Sequence, residues 1–166
     1  MNVLVLGLPG SGKSYFAERL AKRLDAEYVS SDRLRKQLFP EPTYSDLEKA
    51  NVYYAMLKKM QETNAQERNL VLDATFHKKS TRQLFTKTAR GKTHFIEVCA
   101  DEAIIKDRLK KSRPDSDADY QIHQLIKQQW EALEAPHLTL KSTNENIEAL
   151  LQRALEYLKN DQESNR

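Results

Sequence analysis

The sequence is poor in the residues on which several other kinds of protein depend. It has one cysteine, Cys99, so no disulfide can form within the chain. Set in the apolar run 95–100, that thiol reads as a buried strand residue rather than a nucleophile. It has four glycines, and three of them, Gly7, Gly10 and Gly12, fall together near the start. No apolar stretch approaches the roughly 20 residues of a membrane-spanning helix. Residues 1–6 lead straight into the glycine cluster with no basic segment or cleavage site, so no signal peptide is expected and a cytoplasmic location follows. The four histidines, His77, His94, His123 and His137, lack zinc-site spacing. A net charge of +3 is too small to imply nucleic acid by itself. No obligate protein partner is legible.

What is present is a regular alternation. At 166 residues, 39% apolar and 31% charged, the chain suits one globular domain with a single core. Short apolar runs at 3–6, 27–30, 70–73, 94–100 and 138–140 read as strands. Helices are expected over 13–24, 32–39, 45–66, 80–89, 102–111 and 119–133. The last of these carries Ile122, Leu125, Ile126, Trp130 and Leu133 on one side. Ser45 with Glu48, and Ser142 with Glu145, have capping-box spacing, the second opening a final helix with Ile147, Leu150, Leu151, Leu155 and Leu158 aligned. Pro40 and Pro42 interrupt the chain between helices. Uninterrupted apolar strands alternating with helices predict an α/β fold: a parallel five-stranded sheet with helices on both faces. The expected boundaries are a domain over 1–159, with a small helical lid at about 106–119, and a polar tail over 160–166.

The chemistry gathers at the strand ends, where such sheets bind ligands. Gly7-Leu8-Pro9-Gly10-Ser11-Gly12-Lys13-Ser14 fits G-x-x-x-x-G-K-[ST]. Glycines let the backbone turn its N–H groups inward onto phosphate oxygens, and the following helix presents its positive end there. Lys13 would reach the β- and γ-phosphates of ATP, and the Ser14 hydroxyl would ligate magnesium (Mg2+). After the second strand comes Ser30-Ser31-Asp32-Arg33-Leu34-Arg35. Asp32 there is either a general base for a substrate hydroxyl or a helix cap. Arg35, one helical turn on, points to the same side. The third strand ends in Asp73, followed by Ala74 and Thr75, a Walker B-like arrangement suited to the metal. Tyr44 reads either as acceptor-pocket lining or as loop packing. Basic residues cluster at 78–92 and again at 106–113.

These motifs together resemble the AAA-type P-loop kinases related to polynucleotide 5′-kinases, with zeta-toxin kinases, gluconate kinase and adenylylsulfate kinase as more distant relatives. The likeness spans nearly the whole chain. It implies phosphoryl transfer from ATP, with Mg2+, to a hydroxyl. It also implies an ATP site of Gly7, Pro9, Gly10, Ser11, Gly12, Lys13, Ser14, Tyr15 and Arg108, with Ser14 and Asp73 at the metal. Lys13, Asp32, Arg35 and Arg113 would carry catalysis, Asp32 as base and Arg113 with Arg108 in the lid. Asp32, Arg35, Asp73, Thr75 and Arg82 would face the acceptor. The second lid arginine of the pattern is replaced here by Ser112, with Lys111 or Arg113 as stand-ins. A nucleic-acid 5′-hydroxyl is the first expectation for the acceptor, since it suits the basic 78–92 segment. A small metabolite is the alternative, and a nucleotide-binding NTPase that is not a kinase the second.

Overall fold

The computed structural model describes residues 1–111 and 119–163. The elements run β1 (Asn2–Leu6), α1 (Lys13–Arg23), β2 (Glu27–Ser30), α2 (Ser31–Leu38), α3 (Asp46–Ala65), β3 (Leu70–Asp73), α4 (Lys79–Thr88), β4 (Thr93–Cys99), α5 (Glu102–Lys110), α6 (Tyr120–Gln128), β5 (Leu138–Lys141) and α7 (Ile147–Glu163). The five strands form one sheet in the order β2-β3-β1-β4-β5, and every pairing is parallel. Strand order reverses at β1, the strand that feeds the glycine-rich turn. The register sets Ser30 beside Asp73 and Asp73 beside Val5, so the ends of β2, β3 and β1 lie level on one edge.

Alternation along β1 divides the core into two layers. Val3 and Val5 point into a cluster with Phe16, Leu20, Leu150, Leu151 and Leu158 of α1 and α7. Leu4 and Leu6 point the other way, into Val52, Met56 and Met60 of α3 and Phe85 of α4. Helices therefore cover both faces, as the apolar strands predict. Phe76 and Phe85 meet edge to face at 5.1 Å within the second layer. Phe76 takes φ 46°. Burying its ring is worth roughly 3 kcal/mol, which outweighs roughly 1–2 kcal/mol for a left-handed backbone. That turn leaves its neighbours Thr75 and His77 facing a cavity.

Three local expectations are corrected. The helix expected over 119–133 stops at Gln128. Beyond it the chain is strapped to α4: Glu131 N–H donates to the His77 carbonyl at 2.9 Å. The Arg82 guanidinium donates to the carbonyls of Phe76, Glu131 and Ala132 at 2.8–2.9 Å. With its N–H given to His77, Glu131 cannot donate to the Lys127 carbonyl as a continuing helix requires. Trp130 thus packs against the second core layer from a loop, not from a helix. Second, the Ser142–Glu145 capping box does not form, because Ser142 is drawn into the glycine-rich turn and α7 starts only at Ile147. Third, α7 runs through Glu163 rather than fraying at Asn160. Asp161 anchors it, with Lys92 at 2.6 Å and His94 at 2.8 Å. The first capping box forms in part. Ser45 accepts from Glu48 N–H, while the Glu48 carboxylate takes the N–H groups of Thr43 and Tyr44.

Candidate active site

The turn between β1 and α1 is built to present bare N–H groups. Gly12 caps α1 in the left-handed region at φ 90°, no side chain occupies the cap, and the first turn holds no acid. The end of α1 is thus left to an incoming anion. At Gly7 the reason for glycine is contact: a Cβ would lie 2.3 Å from the Val98 carbonyl oxygen. The turn is braced from outside. The Ser142 hydroxyl donates to the Ser11 carbonyl at 2.6 Å, and Arg108 donates to the Gly10 carbonyl at 3.2 Å and to Ser142 Oγ at 2.9 Å. A side chain at Gly12 would collide with both braces.

On one side of this turn lies a cavity of about 580 Å³. Gly10, Gly12, Lys13, Ser14, Tyr15 and Arg108 form its phosphate-loop wall, facing Asn144, Ile147 and Leu150. Tyr15 stands half-exposed at its mouth, with the Arg19 guanidinium 3.3 Å above the ring. A cavity with N–H donors at one end and an apolar pocket at the other suits a nucleoside triphosphate.

Asp73 lies in neither cavity wall but beneath them, 1% exposed. Its Oδ2 accepts from the Tyr28 hydroxyl at 2.8 Å, whereas Oδ1 has no partner among the described residues. Burial raises its pKa above the usual carboxylate range, opposed by the Lys13 ammonium and by the Ser14 and Tyr28 hydroxyls. Burial also pushes the Tyr28 hydroxyl up, reinforced by the Asp73 charge, so it stays a donor. An orphaned carboxylate oxygen beside the Ser14 hydroxyl fits hydrated Mg2+, which takes few protein ligands and keeps waters and phosphate oxygens. Among the described residues no cluster of three or more His, Cys, Asp or Glu offers a rival metal site.

A second cavity, of about 280 Å³, opens on the other side of Lys13. Asp32 and Arg35 of α2, Val52 and Tyr53 of α3, Thr75 and His77 after β3, and Ile122, Leu125 and Ile126 of α6 line it, with Pro9 and Tyr44. Ser30 caps α2, accepting from Arg33 N–H, which leaves the Asp32 carboxylate turned toward the cavity and Arg35 at 3.3 Å. Arg35 also meets Glu48 at 3.1 Å and lies over the Tyr44 ring. Burial raises the Glu48 pKa, but donors from Thr43 and Tyr44 and the Arg35 charge outweigh it and hold the carboxyl below its ordinary value. Burial and the Lys78 charge lower His77, so its imidazole is neutral at neutral pH.

The expected site residues thus separate by place. Gly10, Gly12, Ser14, Tyr15 and Arg108 line the first cavity, Asp32, Arg35 and Thr75 the second, and Lys13 both. Gly7 and Ser11 shape the turn from behind. Pro9, expected at the nucleotide, faces the second cavity instead, because its carbonyl accepts from His123. Arg82, expected at the acceptor, is 3% exposed and holds three carbonyls. Arg113 lies outside the described residues. Reading the sequence missed Tyr28, Ser142 and His123. His123 is fully buried and its Nδ1 donates to the Pro9 carbonyl at 2.8 Å, which ties α6 to the phosphate loop. Its signal was the stripe of Tyr120, His123 and Lys127 at helical spacing, converging on Glu102 of α5. Ile122 and Leu125, expected on a buried face, are 37% and 53% exposed.

No curated protein matches the chain in sequence. Among solved structures, a sugar kinase from Janibacter sp. HTCC2649 superposes with a TM-score of 0.75 at 19% identity, covering 95% of this chain and 94% of that one. A gluconokinase from Sinorhizobium meliloti 1021 gives 0.69 at 20% identity, covering 96% of each chain. The Mycobacterium tuberculosis APS kinase, in complex with AMPPNP and APS, gives 0.66 at 20%, covering 95% and 96%. At such identities the likeness is one of fold, that of the P-loop kinases, and it does not single out the polynucleotide or zeta-toxin branch. Residues 3–136 match the model of the AAA domain family, and the chain belongs to that family.

Proposed function

We propose that this protein is an ATP-dependent kinase that transfers the γ-phosphoryl group to a hydroxyl of a small metabolite. The observation that carries this is the sharing of Lys13 between two separate cavities, one suited to a triphosphate and one holding a carboxylate. An NTPase motor or switch needs only the first.

Asp32 accepts the proton of the acceptor hydroxyl, and Arg35 fixes the carboxylate's direction. The Lys13 ammonium and the open N–H groups of α1 neutralise charge developing on the transferring group. Ser14 and Asp73 would hold Mg2+, which would supply charge neutralisation to the phosphates when bound. Arg108, already seated on the Gly10 carbonyl, lies at the phosphate end of the first cavity.

The acceptor is a small molecule rather than a polynucleotide 5′ end for two reasons. Half of the basic side chains of the 78–92 segment are engaged within the chain: Lys79 pairs with Glu134, Lys92 with Asp161, and Arg82 is buried on carbonyls. The fold relatives named above as sugar kinase, gluconokinase and APS kinase point the same way. The test is ADP formation from MgATP with and without acceptors. Stimulation by a small hydroxyl compound, lost in Asp32→Asn, is expected. Rapid ATP hydrolysis indifferent to acceptors and to that substitution would overturn the reading.

A further inference from the structure

We infer that the acceptor is an uncharged alcohol with an apolar, ring-sized body, not a free sugar and not an anion. This rests on the reading of the second cavity as the acceptor site.

The first ground is the wall made by α6. Ile122 and Leu125 are among the few large apolar side chains that stay exposed, and with Ile126 they face the cavity rather than the core. Pro9, Val52 and the rings of Tyr44 and Tyr53 extend this apolar wall, and polar side chains line the remainder of the cavity. Side chains held out of the core at a cavity need a ligand surface to cover them, and a polyhydroxylated chain would forfeit its hydration against this wall. His123 fixes the wall, since its bond to Pro9 holds α6 against the phosphate loop.

Charge supplies the second, independent ground. Besides Lys13, which serves the triphosphate, the described residues lining the cavity include two cations. Arg35 already lies between two carboxylates, Asp32 at 3.3 Å and Glu48 at 3.1 Å. Lys49 has Asp46 at 3.6 Å. A carboxylate or phosphate on the acceptor would have to compete with Asp32 and Glu48 for Arg35 and would meet Asp32 as a like charge, whereas the exposed Lys49–Asp46 pair is weak and sets no such barrier. The remaining polar groups, Ser31, Thr75, the neutral imidazole of His77 and Gln129, are neutral hydrogen-bonding partners. The volume, about 280 Å³, sits at the lower edge of small-molecule sites, commonly about 300–1,000 Å³. It admits one substituted ring.

The test uses the full chain with MgATP and matched acceptors of at most one ring: ethanol against benzyl alcohol and glycerol against 3-phenoxy-1,2-propanediol, with glucose as the free-sugar arm and gluconate and a 5′-hydroxyl oligonucleotide as anionic arms. The aryl member of each pair is expected to exceed its parent at least about tenfold in kcat/KM, with the anionic arms lowest. Leu125→Gln should shrink the aryl-to-parent ratio while the variant's melting curve stays that of the wild type. Preference for glucose, gluconate or the oligonucleotide overturns the inference and leaves the kinase reading standing. An unchanged ratio in Leu125→Gln overturns it as well. Phosphorylation of no arm, with MgATP bound, overturns the kinase reading and the inference with it.

Discussion

The two cavities that meet at Lys13 are built in opposite ways. The first draws most of the wall assigned to phosphate from one short stretch of the glycine-rich turn, with Arg108 added from α5. The second is assembled from α2, α3, the end of β3 and α6, with Pro9 and Lys13 from the turn, segments far apart in the chain. A backbone cradle recognises a group common to all triphosphates, whereas a side-chain cavity can be respecified without disturbing the fold. The difference teaches where change is tolerated: the nucleotide half is fixed by geometry, the acceptor half by choice of residue.

Substitutions can break that division or sharpen it. The largest effect is expected from Asp32→Asn, a loss of about 10²–10⁴-fold in kcat with MgATP affinity retained. Calorimetric titration of nucleotide beside turnover checks this, and a parallel loss of affinity would mean the halves are not separable. Lys13→Met, at the residue they share, should cost about 10²–10³-fold in kcat and weaken nucleotide as well. Arg82→Ala removes the donor for three carbonyls. Unfolding in urea should report a loss of about 2–3 kcal/mol, and the nucleotide Kd of the folded fraction should not move. His123→Ala cuts the tie between α6 and Pro9. A rise of about 3–10-fold in acceptor KM is expected, with ATP KM changed less, and equal changes would show that the wall does not depend on this bond.

The smallest effect serves as a control away from both cavities. Burial lowers the His94 pKa below its ordinary 6.5, so the folded chain takes up this proton less readily than the unfolded one. Stability is full above pH 6.5 and falls as pH drops below it. Asp161, held below 3.8 chiefly by the Lys92 ammonium, adds its own loss at lower pH. Melting temperatures between pH 7.5 and 5 should show the decline, and His94→Asn should flatten it while acceptor specificity stays put.

Much of this was legible in the chain and some was not. The phosphate loop could be read because its chemistry is local: spacing alone puts Gly12 at the start of a helix and Lys13 over its end. The expectation that Asp32 and Arg35 share a side held for the same reason, three residues being nearly one turn. The family resemblance placed Arg82 at the acceptor. Its actual partners lie about 50 residues on, and no periodicity foretells that strap. The helix expected to reach Leu133 illustrates the same limit, because the Glu131 N–H that would continue it is claimed by the His77 carbonyl. Ile122 and Leu125 looked like core since apolar spacing marks a face without saying what the face meets.

By itself, then, the sequence determined the alternation of strands and helices, the parallel sheet and the glycine-rich turn, all set by contacts within a few residues or by burial. Only the tertiary structure decided which side of Lys13 each residue serves, that Ser142 and Arg108 brace the turn, and that α6 turns its apolar face to a cavity. Those outcomes depend on pairs far apart in the chain, such as His123 with Pro9, whose meeting is fixed by how the layers pack rather than by any local preference.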